Sequence, residues 1–282
     1  MDASPLILAF IADLNFSVRV ESGARLLGFS VMFIERIEQI ALPEESVSGK
    51  QYAEHPAGPG AGLVDLVTLW KPVLILFDLG NRAIPWLDWI YLLTSSPATR
   101  RIPVVCFGSH IDTESFQAAK NAGARTVLAR SRFFSDLPDV IQKNAQTIDL
   151  DELHTSCNQP LSTEALRGLE EFNRGDYFEA HESLEIAWKA EYGPGREVYR
   201  AVLQVAVAYF QIERGNYKGA AKMFLRLRQW IDPLPDACRG IDIARLRAEA
   251  QAAYRALIAL GPDHIADFDR SLLRPVSYQV NQ

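Results

Sequence analysis

The residues best suited to chemistry lie together between Phe172 and Trp188. His181 and Glu182 are adjacent, and Glu185 follows within one helical turn. Helical spacing puts Phe178, Glu182, Glu185 and Trp188 on one face, with His181 beside it. Farther along, Arg200, Gln204 and Gln211 recur on overlapping faces of an otherwise apolar run. Three chemistries suit this set. His181 can act as a general base while Glu182 and Glu185 hold or orient a cation. The same polar groups can bind a small ligand or an anion. Alternatively, the carboxylates pair with Arg200 and Gln204 as an internal network, since buried polar groups must be satisfied.

The spacing limits the metal reading. A zinc peptidase needs a second histidine where Glu185 stands, which argues against that class. A mixed imidazole and carboxylate site one turn long remains open. The sequence assigns no catalytic residue and specifies no metal or cofactor.

Composition narrows the partners. Residues 1–150 carry 13 basic and 16 acidic side chains, and residues 151–282 carry 16 and 19, so each half is at −3. Neither half has the cationic excess that phosphate neutralisation requires, which argues against nucleic acid and against an acidic membrane surface. No apolar run approaches the roughly 18 residues of a spanning helix. The N-terminus lacks the basic opening of a secretory signal. Cys106, Cys157 and Cys238 are far apart and odd in number, with no metal spacing. They read as separate thiols in a reducing cytoplasm. Cytoplasmic residence and no membrane contact are the expectation.

The elements that position these groups differ between the halves. In the first, short apolar runs alternate with helical patterns five times. The runs are Leu6–Ala12, Phe29–Ile34, Val73–Asp78, Ile102–Phe107 and Thr126–Ala129. Continuous apolar strands imply burial on both faces, hence a parallel, doubly wound sheet with helices on each side. Functional groups of such a sheet gather at the strand C-terminal ends. Asp13, Asp78, Gly108-Ser109 and Arg130 fall there. Residues 41–62, with three prolines and four glycines, read as a solvated insertion.

This half, about residues 5–145, resembles the response-regulator receiver domain, the flavodoxin-like phosphoacceptor of two-component signalling. Leu76-Phe77-Asp78 stands where such domains keep the phosphorylated aspartate. Ile102-Pro103-Val104-Val105 matches the fourth strand, and Ala122-Gly123-Ala124 matches the turn before the fifth. The departures are specific. The family's paired acids are Ala12-Asp13 here. Its switch hydroxyl aligns with Gly108, next to Ser109. Its lysine aligns with Arg130, and the following proline with Ser131. Magnesium needs several oxygen ligands near the phosphate, and the planar fork of arginine does not copy an ammonium. The resemblance therefore implies a pseudo-receiver, kept as a scaffold. The competing reading is a working phosphoacceptor at Asp78, assisted by Asp13, Ser109 and Arg130.

Residues 147–162 are polar, contain Pro160, and read as a linker in which Ser162 or Thr163 caps the next helix. From residue 163 to 262 every segment has helical periodicity, which predicts an antiparallel helical bundle. Residues 263–282 read as an irregular tail. Asn173 and Gly175 read as turn residues, and Trp188 and Tyr177 as core. Arg214, Lys218, Lys222 and Arg226 fall every fourth residue. They form a basic stripe, either a solvated face or a dock for an acidic partner such as residues 44–54.

About residues 165–230 resemble the family catalogued as domain of unknown function 309. The carriers are Phe172-Asn173-x-Gly175-x-Tyr177-Phe178-Glu179-Ala180-His181-Glu182-x-Leu184-Glu185-x-x-Trp188, Arg200-x-x-Leu203-Gln204, and Gln211-x-x-Arg214-Gly215-Asn216-x-x-Gly219-Ala220. The resemblance implies a small helical domain and no established activity. The leading expectation is a regulatory, non-catalytic protein: residues 1–146 as a receiver-like scaffold, and residues 163–262 as a domain that binds a protein partner or small ligand. Self-association is left open. A metal-assisted, hydrolase-type enzyme using His181, Glu182 and Glu185 is the competitor.

Overall fold

A computed structural model describes residues 4–40 and 59–280. The chain divides into two compact units near residue 147. Residues 41–58, most of the expected insertion, and with them the acidic segment 44–54, lie outside the described residues.

In the first unit, β1 (Leu6–Phe10), β2 (Ser30–Phe33), β3 (Leu74–Asp78), β4 (Val104–Gly108) and β5 (Thr126–Ala129) form one sheet. Its order is β2-β1-β3-β4-β5, and every pairing is parallel. This is the flavodoxin-like strand order. Alternation along the strands divides the core. Leu8, Phe10, Ile75, Phe77, Val104 and Cys106 face one helical layer. It consists of α2 (Pro59–Trp70), α3 (Trp86–Ser95) and α4 (Thr113–Asn121). Ile7, Ala9, Leu74, Leu76, Val105 and Phe107 face the other layer, made of α1 (Leu14–Leu26), α5 (Arg130–Ser135) and α6 (Leu137–Asn144). The sequence pattern predicts one helix over Phe133–Ala145, but the chain breaks at Asp136 (φ −107°, ψ 17°). Pro138 is the cause, because its ring would press on the carbonyl four residues back.

The second unit opens with α7 (Leu150–Cys157), inside the stretch expected to be a linker. Asp149 caps it by accepting the Glu152 N–H at 3.0 Å, and Leu153, Ser156 and Cys157 are buried. Then come α8 (Thr163–Arg174), α9 (Tyr177–Ala190), a short 3-10 turn (Pro194–Arg196), α10 (Glu197–Glu213) and α11 (Tyr217–Ile231). Ser162 caps α8. Gly175 follows it with φ 91°, the left-handed conformation that glycine takes without a Cβ penalty. α10 is the central element, packed against α9 on one side and α11 on the other. Aromatic rings of Phe172, Tyr177, Tyr209 and Phe224 meet in the core.

Helical periodicity alone misses one strand pair. β6 (Ala237–Cys238) and β7 (Ile241–Asp242) form a small antiparallel hairpin before α12 (Ile243–Leu260). Its two-residue loop, Arg239-Gly240, has positive φ at both positions (53° and 78°), as a type I′ turn requires. Two short 3-10 turns follow α12, and Tyr278 bridges back to Ile241. The cysteine expectation needs correction: Cys157 and Cys238 form a disulfide, and Cys106 alone is a free, buried thiol. Burial pushes the Cys106 thiol pKa up. Among the described residues, no helix is long and apolar enough to cross a membrane.

Candidate functional site

Two groups of residues are placed by these elements, one in each unit. At the C-terminal edge of the sheet, Asp78 ends β3 and is 3% exposed. Its Oδ1 accepts the Gly80 backbone N–H at 2.9 Å and an Arg130 Nη2–H at 3.3 Å. The Arg130 guanidinium also rests 4.6 Å from the Phe16 ring centroid. Burial raises the Asp78 pKa; the Gly80 and Arg130 contacts oppose the shift, and the nearby charge of Asp13 adds to it. Asp13 is used locally, accepting the N–H groups of Asn15 (2.9 Å) and Phe16 (3.3 Å) as the cap of α1. At Gly108 a Cβ would come within 3.2 Å of both Leu79 and Phe116, so a hydroxyl residue there would have to displace them. Ser109 is exposed just beyond the strand and makes no side-chain hydrogen bond to Asp78 among the described contacts.

In the helical unit, α9 presents His181 and Glu185 half-buried and Glu182 exposed. Glu185 pairs with Lys189 at 3.1 Å. Arg200 takes a different carboxylate: its Nη1 lies 3.5 Å from Glu197 Oε2. Its guanidinium is held between two indoles, 4.0 Å from the Trp188 centroid and 3.9 Å from that of Trp230. Glu197 Oε1 accepts the Trp188 Nε1–H at 3.2 Å, and Arg196 sits 5.0 Å from the same ring. Gln204 is buried, and its Oε1 has no hydrogen-bond partner. The centre of this group is thus Trp188, Glu197, Arg200 and Trp230, not a direct link from Glu182 and Glu185 to Arg200. Among the described residues, no group of three or more His, Cys, Asp and Glu is arranged to hold a metal ion.

Sequence reasoning missed Glu197 and Trp230, and it assigned Trp188 to the core alone. Periodicity holds the signal: Trp188 lies one turn after Glu185, and Glu197 and Arg200 are three apart on α10. Asn173 does more than turn the chain. Its side chain donates to Val276 O (3.0 Å) and accepts from Val276 N (2.7 Å). A second missed cluster is Arg239, 2% exposed, paired with Glu191 and bonded to Tyr199 OH at 2.9 Å. The basic stripe spans two elements. Arg214 follows α10, stacked 5.4 Å from Phe210, while Lys218, Lys222 and Arg226 belong to α11.

The first unit is a flavodoxin-like domain on its strand order and parallel pairings. The second is helical apart from its hairpin. Residues 165–223 match the family model described as Domain of unknown function (DUF309), the family that the Phe172–Trp188 motif resembles. No curated protein matches the chain. The solved structures similar to it include response-regulator receiver domains. One is a phosphorylated cyanobacterial phytochrome response regulator, 13% identical with TM-score 0.37, covering 50% of this chain and 94% of that one. Another is the receiver domain of a sensor histidine kinase from Pseudomonas aeruginosa PAO1 with a coordinated magnesium ion, 15% identical with TM-score 0.38, covering 50% and 98%. A third is the receiver domain of a DNA-binding response regulator from Colwellia psychrerythraea 34H, 16% identical with TM-score 0.38, covering 49% and 96%.

Proposed function

We propose that this chain is a regulatory, non-catalytic protein acting in the cytoplasm, in which a receiver-like scaffold is joined to a helical domain that binds a partner or small ligand. The observation that carries the reading is the state of Asp78. Its carboxylate is buried, bonded to Gly80 and Arg130, and one of the acids that would help it hold magnesium is Ala12. The Gly108 position is closed in by Leu79 and Phe116, which leaves no hydroxyl there to follow a phosphoryl group. These features support a sheet that works by its shape. In the helical domain we assign the binding face to the half-buried His181, Glu185, Trp188 and Arg200, with Trp230 and Gln204 buried in the domain. Phe178 and Ile186 stand half-exposed on the same helix as His181, and apolar groups beside fixed charges suit a protein partner.

Incubation of the full chain with acetyl phosphate and magnesium, followed by intact-mass measurement, tests the first part. No phosphoryl adduct is expected. An adduct that disappears in Asp78→Asn would restore the phosphoacceptor reading.

A further inference from the structure

The bond between Cys157 and Cys238 joins residues 81 apart in sequence, and four structural pieces meet around it. Cys157 closes α7, and Cys238 lies in β6. The Arg239 backbone N–H donates to Cys157 O at 2.6 Å. The 3-10 turn is pressed against the same place: Gly195 N donates to Ser156 Oγ at 2.9 Å, and Gly195 O lies 3.7 Å from Cys238 Sγ. A Cβ on Gly195 would come within 2.8 Å of the Ser156 carbonyl oxygen, so glycine is needed for this approach. The fourth piece is the Arg239 side chain, whose partners Glu191 and Tyr199 lie on either side of that turn.

Apart from the disulfide, α7 is held by the Gly195 and Arg239 backbone hydrogen bonds and by the burial of Leu153. It has 8 residues, of which Leu153, Ser156 and Cys157 are buried, and a helix this short is marginal on its own. Two of its three buried side chains belong to the disulfide and its neighbour. The covalent bond ties α7 to the hairpin, and the Gly195–Ser156 hydrogen bond adds the turn to the same assembly.

We propose that Cys157 and Cys238 form a thiol-exchange site whose redox state decides whether α7 and the β6–β7 hairpin stay locked to the bundle. The co-reactant is a dithiol reductant. Both residues are buried (Cys157 6% exposed, Cys238 1%), so the exchange passes through local opening of α7, after which one thiolate of the reductant attacks Cys157 Sγ. The S–S bond breaks, and Cys238 leaves as a thiolate that takes up a proton. The second thiolate of the reductant then attacks the mixed disulfide at the reductant's own sulfur. This closes the reductant's disulfide and releases Cys157, which is protonated in turn. The protein gains two electrons and two protons, and the dithiol is oxidised.

The test uses the full chain, oxidised with diamide or reduced with dithiothreitol, and reads thiol alkylation after denaturation and amide hydrogen exchange in the folded state. After oxidation, Cys106 alone should be alkylated; after reduction, all three cysteines should be. Reduction should speed exchange at residues 150–157 and 237–242 by at least about tenfold, while β1 and β3 stay unchanged. Alkylation of all three cysteines in the oxidised sample would remove the bond from the proposal. Equal exchange in the two states would show the bond to be inert. The Cys157→Ser/Cys238→Ser protein should match the reduced chain and ignore dithiothreitol. If that variant does not fold, the wild-type comparison still decides.

Discussion

Arg130 and Asp78 meet at 3.3 Å at the C-terminal edge of the sheet, one side chain 37% exposed and the other 5%. The cation is partly exposed and the anion is buried. The contact therefore offsets only part of the desolvation of Asp78, and its pKa stays raised. In the unfolded chain the same carboxyl ionises near 3.8. Below that value both states are protonated, and Asp78 has no effect on stability. As pH rises from there to the raised folded value, the unfolded state ionises first, and stability is lost across that window.

Asp78→Asn should remove this loss. Its thermal midpoint at pH 7 should lie above that of the wild type, because the neutral amide carries no buried charge. The gap should close as pH falls toward 4. Melting curves at several pH values check both statements, and a lower midpoint for the variant at pH 7 would show that the Arg130 pair outweighs burial.

Arg200 should contribute more than its exposed neighbours. A guanidinium held between the Trp188 and Trp230 rings combines two cation–π contacts, and Arg200→Ala should cost about 1–2 kcal/mol in urea unfolding. Arg200→Lys should recover less than half, because an ammonium does not stack as a planar fork does. Full recovery by lysine would reduce the sandwich to a simple charge effect.

Asn173 holds the backbone of Val276 with two hydrogen bonds across 103 residues. Asn173→Ala leaves both backbone groups of the buried Val276 without that partner, at a cost of about 1–3 kcal/mol. Limited proteolysis should then cut first within residues 270–280. Asn173→Asp keeps the acceptor and loses the donor, so it should fall between the two. An unchanged digestion pattern would show that other contacts hold this segment.

These contacts mark where the sequence stops being legible. Apolar runs such as Leu74–Phe77 and stripes such as Leu169 and Phe172 report burial directly, and with them the sheet, the bundle and the edge position of Asp78. Which carboxylate pairs with Arg200 depends on side-chain reach. Glu185 and Glu197 are equally acidic in sequence, but Lys189 lies one turn after Glu185 on the same helix. Cys157 and Cys238, Asn173 and Val276, and Glu191 and Arg239 meet through chain reversals, so no local periodicity carries them. α7 is legible in part: Asp149, Leu153 and Cys157 have cap and helical spacing, yet one turn of apolar residues is too little to distinguish from a polar connector.

Gly168 shows the same limit in the packing of α8 on α9. A Cβ at this position would stand 2.7 Å from Leu184 Cγ and 3.2 Å from the Leu184 backbone nitrogen. Leu184 is fully buried. Alanine is the better helix former by roughly 1 kcal/mol, so helix propensity alone predicts that Gly168→Ala stabilises. Overpacking costs about 1–3 kcal/mol, and here it involves backbone as well as a side chain, so α9 must shift as a whole. The expected net result is a loss of up to about 2 kcal/mol in urea unfolding. In Gly168→Ala/Leu184→Ala the side-chain part of the clash is gone while the backbone part remains. The double variant should therefore lose less than the sum of the two single losses, by about 0.5–1 kcal/mol. Strict additivity would place the strain wholly in the backbone approach. A stabilised single variant would mean that α8 and α9 can separate at little cost.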